Sequence, residues 1–289
     1  VGGVVGSVVR GVGGVYVPAV LLVLGVFVRF RAPQMGIVGA AVSAVVSGFL
    51  ISLIMLAILA RNGRVIRLDI QALAFSKALF RDIFKVALPA SLSPILTIFI
   101  ILSLTAMVAT FGEAALAGYG IGSRIEFLLI PLVFGIGAAM TSLVGLSIGA
   151  GNISRAENIG WTGSAFAAGL TGAVGLVLAL FPETWIYAFT NDPATFEAAR
   201  SYIRIVGPFF AFQGLGLSLY FASQGAGTMR WPIISIVFRV ILAVGGGWML
   251  AFWFDMGLQG IFIAAAGAMT IFGLIIAAAL KLGAWRDQT

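Results

Sequence analysis

Apolar residues run through this chain in long, unbroken stretches with no period-two alternation. A stretch of about 20 such residues is long enough to cross the hydrocarbon core of a bilayer as a helix. Barrel strands would alternate instead. The pattern predicts eight spans, at residues 15–30, 36–60, 87–111, 122–149, 161–182, 199–223, 231–254 and 257–281. Short turns separate several of them: Gly149-Ala150-Gly151-Asn152, Asn191-Asp192-Pro193 and Gly225-Ala226-Gly227. One connection differs. Residues 61–86 carry Arg61, Arg64, Arg67, Lys77, Arg81 and Lys85, and from Ile70 to Val86 apolar and charged positions alternate at helical spacing. That spacing suits an amphipathic helix lying in the membrane interface. The excess of basic residues puts it on the cytoplasmic side, together with Arg155, Arg230, Lys281 and Arg286.

The pattern repeats. MGIVGAAVSAVVSGFLISLIMLA at 35–57 aligns with MGLQGIFIAAAGAMTIFGLIIAA at 256–278, matching Gly36 to Gly257 and Gly39 to Gly260. RGVGGVYVP at 10–18 aligns in the same order with QGAGTMRWP at 224–232, sharing a G-x-G-x-x-x-x-P turn. Six spans separate the copies, so both enter the membrane in the same direction as parallel repeats. The domain organisation then follows. Residues 1–60 are the last two helices of an N-terminal lobe and 61–86 a basic cytoplasmic linker. Residues 87–282 form a complete six-helix C-terminal lobe, and 283–289 a cytoplasmic tail. Four further spans are expected upstream, giving twelve in about 440 residues by extrapolating the repeat. The fold class is all-α membrane protein, and two pseudo-symmetric lobes suit a carrier that alternates access to a midplane site.

Composition narrows the chemistry. Of 289 residues, 61% are hydrophobic and 9% charged, against about 25% charged in soluble domains. The net charge of +7 comes from basic residues at helix ends, so it reports topology rather than nucleic-acid binding. The chain has neither Cys nor His. Disulfides, thiol chemistry and Ser-His-Asp triads are therefore excluded, and the commonest metal ligand is absent. With no clustered carboxylates either, no catalytic residues, no metal site and no cofactor are expected. The expected environment is a plasma membrane, with the chain monomeric.

TSLVGLSIGAGNISRAENIG at Thr141–Gly160 resembles the signature of multidrug and toxic compound extrusion (MATE) transporters. FTNDPATFEAARSYIRIVGP (189–208), QGAGTMRWP (224–232) and MGIVGAA (35–41) resemble that family's loop into the tenth helix, turn before the eleventh and start of the sixth. The resemblance covers nearly the whole chain, from the fifth helix to the twelfth. It implies a secondary antiporter of the bacterial inner membrane, exporting small lipophilic, often cationic organic compounds in exchange for protons or sodium. The superfamily also holds flippases for lipid-linked saccharides. A flippase cavity would be strongly cationic to hold pyrophosphate, and these spans hold one interior arginine.

An ionisable group inside an apolar span marks function by default. Glu126 is the only carboxylate inside such a span, about one turn into the fourth, and Arg239 is the only base well inside one. Glu126 is a candidate to bind the coupling ion or a cationic substrate, or else an interfacial residue paired with a nearby arginine. A direct pair with Arg239 would need a helix to shift, because the two enter from opposite faces. The chain departs from the family at positions where some members carry carboxylates. The seventh-helix region Pro89–Ile101 offers Ser91, Ser93 and Thr97 in place of a Glu. The tenth, Phe209–Gln224, offers Gln213, Tyr220 and Gln224 in place of an Asp. The fifth-helix Asn and Asp are not seen between Val17 and Val28. Thr97, Gln213 and Tyr220 join the ion-coupling candidates, Phe127 and Phe212 are candidate pocket aromatics, and Pro94 and Pro131 are candidate hinges.

Overall fold

The computed structural model describes residues 77–286, together with Phe49 and Leu53. Apart from those two residues, the first and second predicted spans, both N-terminal repeat segments and linker residues 61–76 lie outside the described residues. The chain divides into two compact units, residues 1–81 and 82–289.

Every regular element among the described residues is helical: α1 (Lys77–Ala109), α2 (Glu113–Gly149), α3 (Ile153–Leu180), the short α4 (Glu183–Ile186), α5 (Pro193–Val206), α6 (Phe210–Gly225), α7 (Arg230–Val240) and α8 (Gly257–Lys281). A 3₁₀ turn, Gly207–Phe209, joins α5 to α6 within a single span. Two π-helical segments, Ile241–Gly246 and Met249–Trp253, extend α7. Six helical runs are long and apolar enough to cross a membrane. This is a multi-pass membrane protein, as the hydrophobic pattern implies.

The helices begin earlier than hydropathy alone places them, and the reasons are local. Residues 113–121 are rich in Ala and Gly, whose small side chains give little apolar signal, yet α2 starts at Glu113, just after Gly112 turns at φ 102°. A carboxylate in the first turn also favours the helix dipole. The N-terminus of α3 is capped by Asn152, whose side chain accepts the Arg155 N–H. The α5 cap is Asp192, with Pro193 at the first helical position. At the other end of the linker, α1 already begins at Lys77, so the basic stretch from Lys77 onward and the span after it are one helix.

The Asp192 cap carries a pH prediction. Hydrogen bonds from the Thr195 side chain and backbone N–H hold its carboxylate below the usual range. A carboxyl group depressed on folding stabilises the fold above its unfolded pKa, about 3.9, and loses that effect as pH falls through the lower folded value. Protection of the Thr195 amide against hydrogen exchange is expected to hold down to about pH 4 and to fall at more acidic pH. Asp192→Asn should remove that pH dependence.

The α5–α6 span is the lobe's centre. Its most apolar stretch is 56% buried, as is that of α8, against 17% for α1. Small residues let α6 approach three neighbours. Against α2, Gly225 lies so near Thr141 that an added Cβ would stand 2.3 Å from the Thr141 carbonyl oxygen. The Thr141 hydroxyl also donates to the Phe221 carbonyl at 2.8 Å. Against α3, a Cβ on Gly214 would meet the Thr171 hydroxyl at 2.2 Å. Against α8, a Cβ on Gly273 would stand 2.6 Å from the Phe212 carbonyl. At the basic end, Trp285 is buried beside Gly160, and Arg286 forms a bidentate pair with Glu157 at 2.7 and 2.8 Å. Outward-facing positions carry Leu92, Leu128, Leu132, Phe166 and Leu180, the side chains lipid tolerates.

Candidate functional site

A charge within an apolar bundle needs a partner. Glu126 lies on α2, roughly 20 Å along the axis from Glu113 at 1.5 Å per residue. That is more than three turns in, where hydropathy suggests one; the Ala- and Gly-rich first turns of α2 account for the difference. Arg239 lies in the last turn of α7, approaching from the other end. At these depths the two side chains meet directly: Arg239 Nη2 stands 3.5 Å from Glu126 Oε1. The expectation that a pair needs a helix to shift is overturned, because Glu126 sits deeper than the predicted start of its span implied; the start of the Arg239 helix moves by only one residue. Arg239 is 7% exposed.

Three further helices complete the surroundings. The Tyr202 hydroxyl of α5 donates to Glu126 Oε2 at 3.5 Å. Its ring lies against Gly122, one turn before Glu126, where an added Cβ would come within 2.3 Å of it. Edge-on contacts with Tyr119 at 5.5 Å and Phe262 at 5.1 Å hold that ring in place. On α8, the Phe272 ring lies 5.2 Å from the Arg239 guanidinium carbon, a cation–π contact. Gln213 of α6 is buried, and its Oε1 has no hydrogen-bond partner among the described residues.

Glu126, Arg239, Tyr202, Tyr119 and Gln213 border a cavity of about 50 Å³, lined also by Thr97 of α1 and by Ser123 and Phe127 of α2. A smaller void of about 10 Å³ shares Glu126 and Gln213 with it and adds Thr171. In a low-dielectric interior, a carboxylate and a guanidinium attract each other far more strongly than in water. Neutralising one removes that attraction and leaves the other a lone buried charge. Such a pair responds to a single proton or cation with a large change in local energy.

The MatE family profile matches residues 89–249, more than half of the chain. The chain belongs to the MatE family. A probable multidrug resistance protein NorM of Thermotoga maritima is 27% identical over 91% of this chain and 57% of its own length. A protein of the same description from Neisseria meningitidis is 28% identical over 71% of this chain and 45% of its own length. This chain thus spans about half the length of the curated relatives it matches. An outward-facing structure of a multidrug resistance MATE family transporter of the MOP superfamily superposes with a TM-score of 0.82 at 22% identity, covering 96% of this chain and 62% of that one. At that identity the likeness shows the fold.

Within this MatE lobe, Thr97, Glu126, Phe127, Gln213 and Arg239 all line the central cavity. Phe212 and Tyr220 do not. Phe212 instead stacks on Phe209 at 6.4 Å, and Tyr220 is buried in a separate apolar cluster beside Phe221. Pro94 and Pro131 fall inside α1 and α2 without interrupting either helix. Each lacks the N–H that would bond the carbonyl four residues earlier. Tyr202 and Tyr119 escape the sequence reading, because a tyrosine near a span's end looks interfacial. The signal that points to Tyr202 is Gly122 in register with Glu126, which clears room for a ring beneath the carboxylate.

Proposed function

We propose that this chain works as part of a multidrug efflux antiporter, and that the Glu126–Arg239 pair couples organic-compound export to entry of a proton or sodium ion. One observation carries the reading: an ion pair from two helices faces a cavity inside a six-span lobe. The names of its relatives as multidrug resistance proteins support it. With Glu126 ionised, the carboxylate and Arg239 hold α2 and α7 together. When an entering cation neutralises Glu126, that tie is lost and the helices repack, shifting the balance between two conformations. A lipophilic cation meets a wall of aromatic and aliphatic groups with one carboxylate at its centre. The lipid-flippase alternative gains nothing here, since the cavity's one guanidinium is paired with a carboxylate.

The test is ethidium uptake by inside-out proteoliposomes under an imposed pH gradient, repeated with a sodium gradient. Glu126→Gln should reduce gradient-driven uptake to the leak of protein-free vesicles. Full uptake with an unchanged pH response in Glu126→Gln would refute the coupling. The gradient that drives uptake in the unmodified protein identifies the ion.

A further inference from the structure

We infer that ordered water fills the cavity beside Glu126, anchored by Gln213 Oε1, and that this water delivers the proton to Glu126. Four observations point to it. Gln213 Oε1 is buried, borders both voids and has no hydrogen-bond partner among the described residues. Arg239 Nη2 and Glu126 Oε1 are 3.5 Å apart, beyond the 2.7–2.9 Å of a charge-assisted hydrogen bond. The Tyr202 hydroxyl is likewise 3.5 Å from Glu126 Oε2. Ser123 and Thr97 add two hydroxyl-bearing side chains on the same wall. Direct contacts as long as 3.5 Å leave hydrogen-bonding capacity on both partners, which water seated beside them in the void can satisfy.

Volume and polarity decide between a wet and a dry cavity. A buried water needs roughly 10–15 Å³ and two to four polar partners. The larger void, about 50 Å³, has room for a few waters, with Glu126, Arg239, Tyr202 and Gln213 as partners. The smaller, about 10 Å³, is at the limit for one. A wholly apolar void of this size would stay dry; this one has a largely apolar wall in which Glu126, Arg239, Tyr202, Gln213, Ser123 and Thr97 supply donors and acceptors. Gln213 has a particular part, because Tyr202 and Arg239 approach Glu126 as donors while Gln213 Oε1 can only accept. It therefore orients a water to donate to itself and accept from Arg239, placing that water beside the carboxylate. When a proton reaches this cluster, one O–H bond of the hydrated proton breaks and one forms on a Glu126 oxygen. The carboxylate loses its charge and the water is left neutral. The groups facing Glu126 in this step are Arg239 of α7, Tyr202 of α5 and Tyr119 of α2.

The hydration stands apart from the antiport reading; the proton step rests on it. The experiment is hydroxyl-radical labelling by X-ray radiolysis of the protein in lipid nanodiscs, read by mass spectrometry. Radicals formed from buried ordered water mark the side chains next to it. After correction for intrinsic reactivity, Tyr202 is expected to label several-fold faster than Phe262. Phe262 packs against Tyr202, is fully buried and does not border the cavity. Gln213→Leu should slow Tyr202 labelling several-fold while leaving Phe262 unchanged. If Gln213→Leu melts early, Gln213→Met keeps the side-chain length without the acceptor and takes its place. Labelling of Tyr202 at the Phe262 rate in the unmodified protein would show a dry cavity and overturn the inference. Fast labelling that Gln213→Leu and Gln213→Met leave unchanged would overturn the role of Gln213. A hydrated cavity in a protein whose Glu126→Gln variant keeps full pH-driven uptake would overturn the proposed function and leave the hydration standing.

Discussion

Arg239→Met is expected to destabilise the lobe by about 3–5 kcal/mol, the cost of leaving a buried charge without its partner. The cost falls on Glu126. Its side chain is only 19% exposed, and Arg239 is the one cation within reach of it among the described residues. The informative comparison is the double variant Glu126→Gln, Arg239→Met. With both charges gone, most of that loss should return, because replacing a buried pair by neutral groups of similar size is often neutral or stabilising. The introduced amide would also keep a carbonyl for the Tyr202 hydroxyl. Reversible unfolding in mixed micelles, measured for both single variants and the double, gives the coupling energy directly. Equal stability for Arg239→Met and the double variant would mean that the pair is not electrostatically linked.

Gly175→Ala is expected to destabilise by about 1–3 kcal/mol or more, although alanine is the better helix former. Here α3 presses against the 3₁₀ turn between α5 and α6, and a Cβ on Gly175 would stand 2.0 Å from the Gly207 carbonyl oxygen. The obstacle is backbone, so no side chain can swing aside. The turn itself has little freedom, since Pro208 follows Gly207 and cannot donate a hydrogen bond. Gly169 supplies the control on the same helix. A Cβ there meets nothing within 4 Å, so Gly169→Ala should be neutral or slightly stabilising. Melting temperatures of the two variants in one detergent separate the explanations. If both fall equally, the close approach of α3 to the turn is not what demands glycine at 175.

How far the sequence shows the site follows from what each residue announces on its own. Glu126 and Arg239 stand out because an ionised side chain in an apolar run has no bland neighbour to hide among. Their contact does not stand out, because hydropathy sets the apparent depth and the first turns of α2 are alanine and glycine. Thr97 and Gln213 draw attention because they are among the polar residues of the stretches that the resemblance matches to carboxylate-bearing helices of some family members, and both face the cavity. Phe212 and Tyr220 share a span with Gln213, but a helix has several faces, and theirs meet other helices. Which face an aromatic residue takes depends on partners far along the chain: the Tyr202 ring is placed by Gly122 and Phe262, 80 and 60 residues away in opposite directions. The six described spans are visible because lipid imposes one simple demand on every residue of a helix surface. The 3₁₀ turn at Gly207 and the π segments after Arg239 are not, since each changes only the pattern of backbone hydrogen bonds.

The partners of the central ion pair also have different birthdays. Glu126 leaves the ribosome 113 residues ahead of Arg239. At roughly 5–20 residues per second that is an interval of about 6–23 s. Throughout it, α2 carries an acid whose arginine has not yet been made, next to Tyr202 for only the last third of the wait. The nascent chain therefore depends on water, headgroups or a proton to tolerate Glu126 until α7 arrives. The central ion pair of the lobe is complete only when its second-to-last span is inserted.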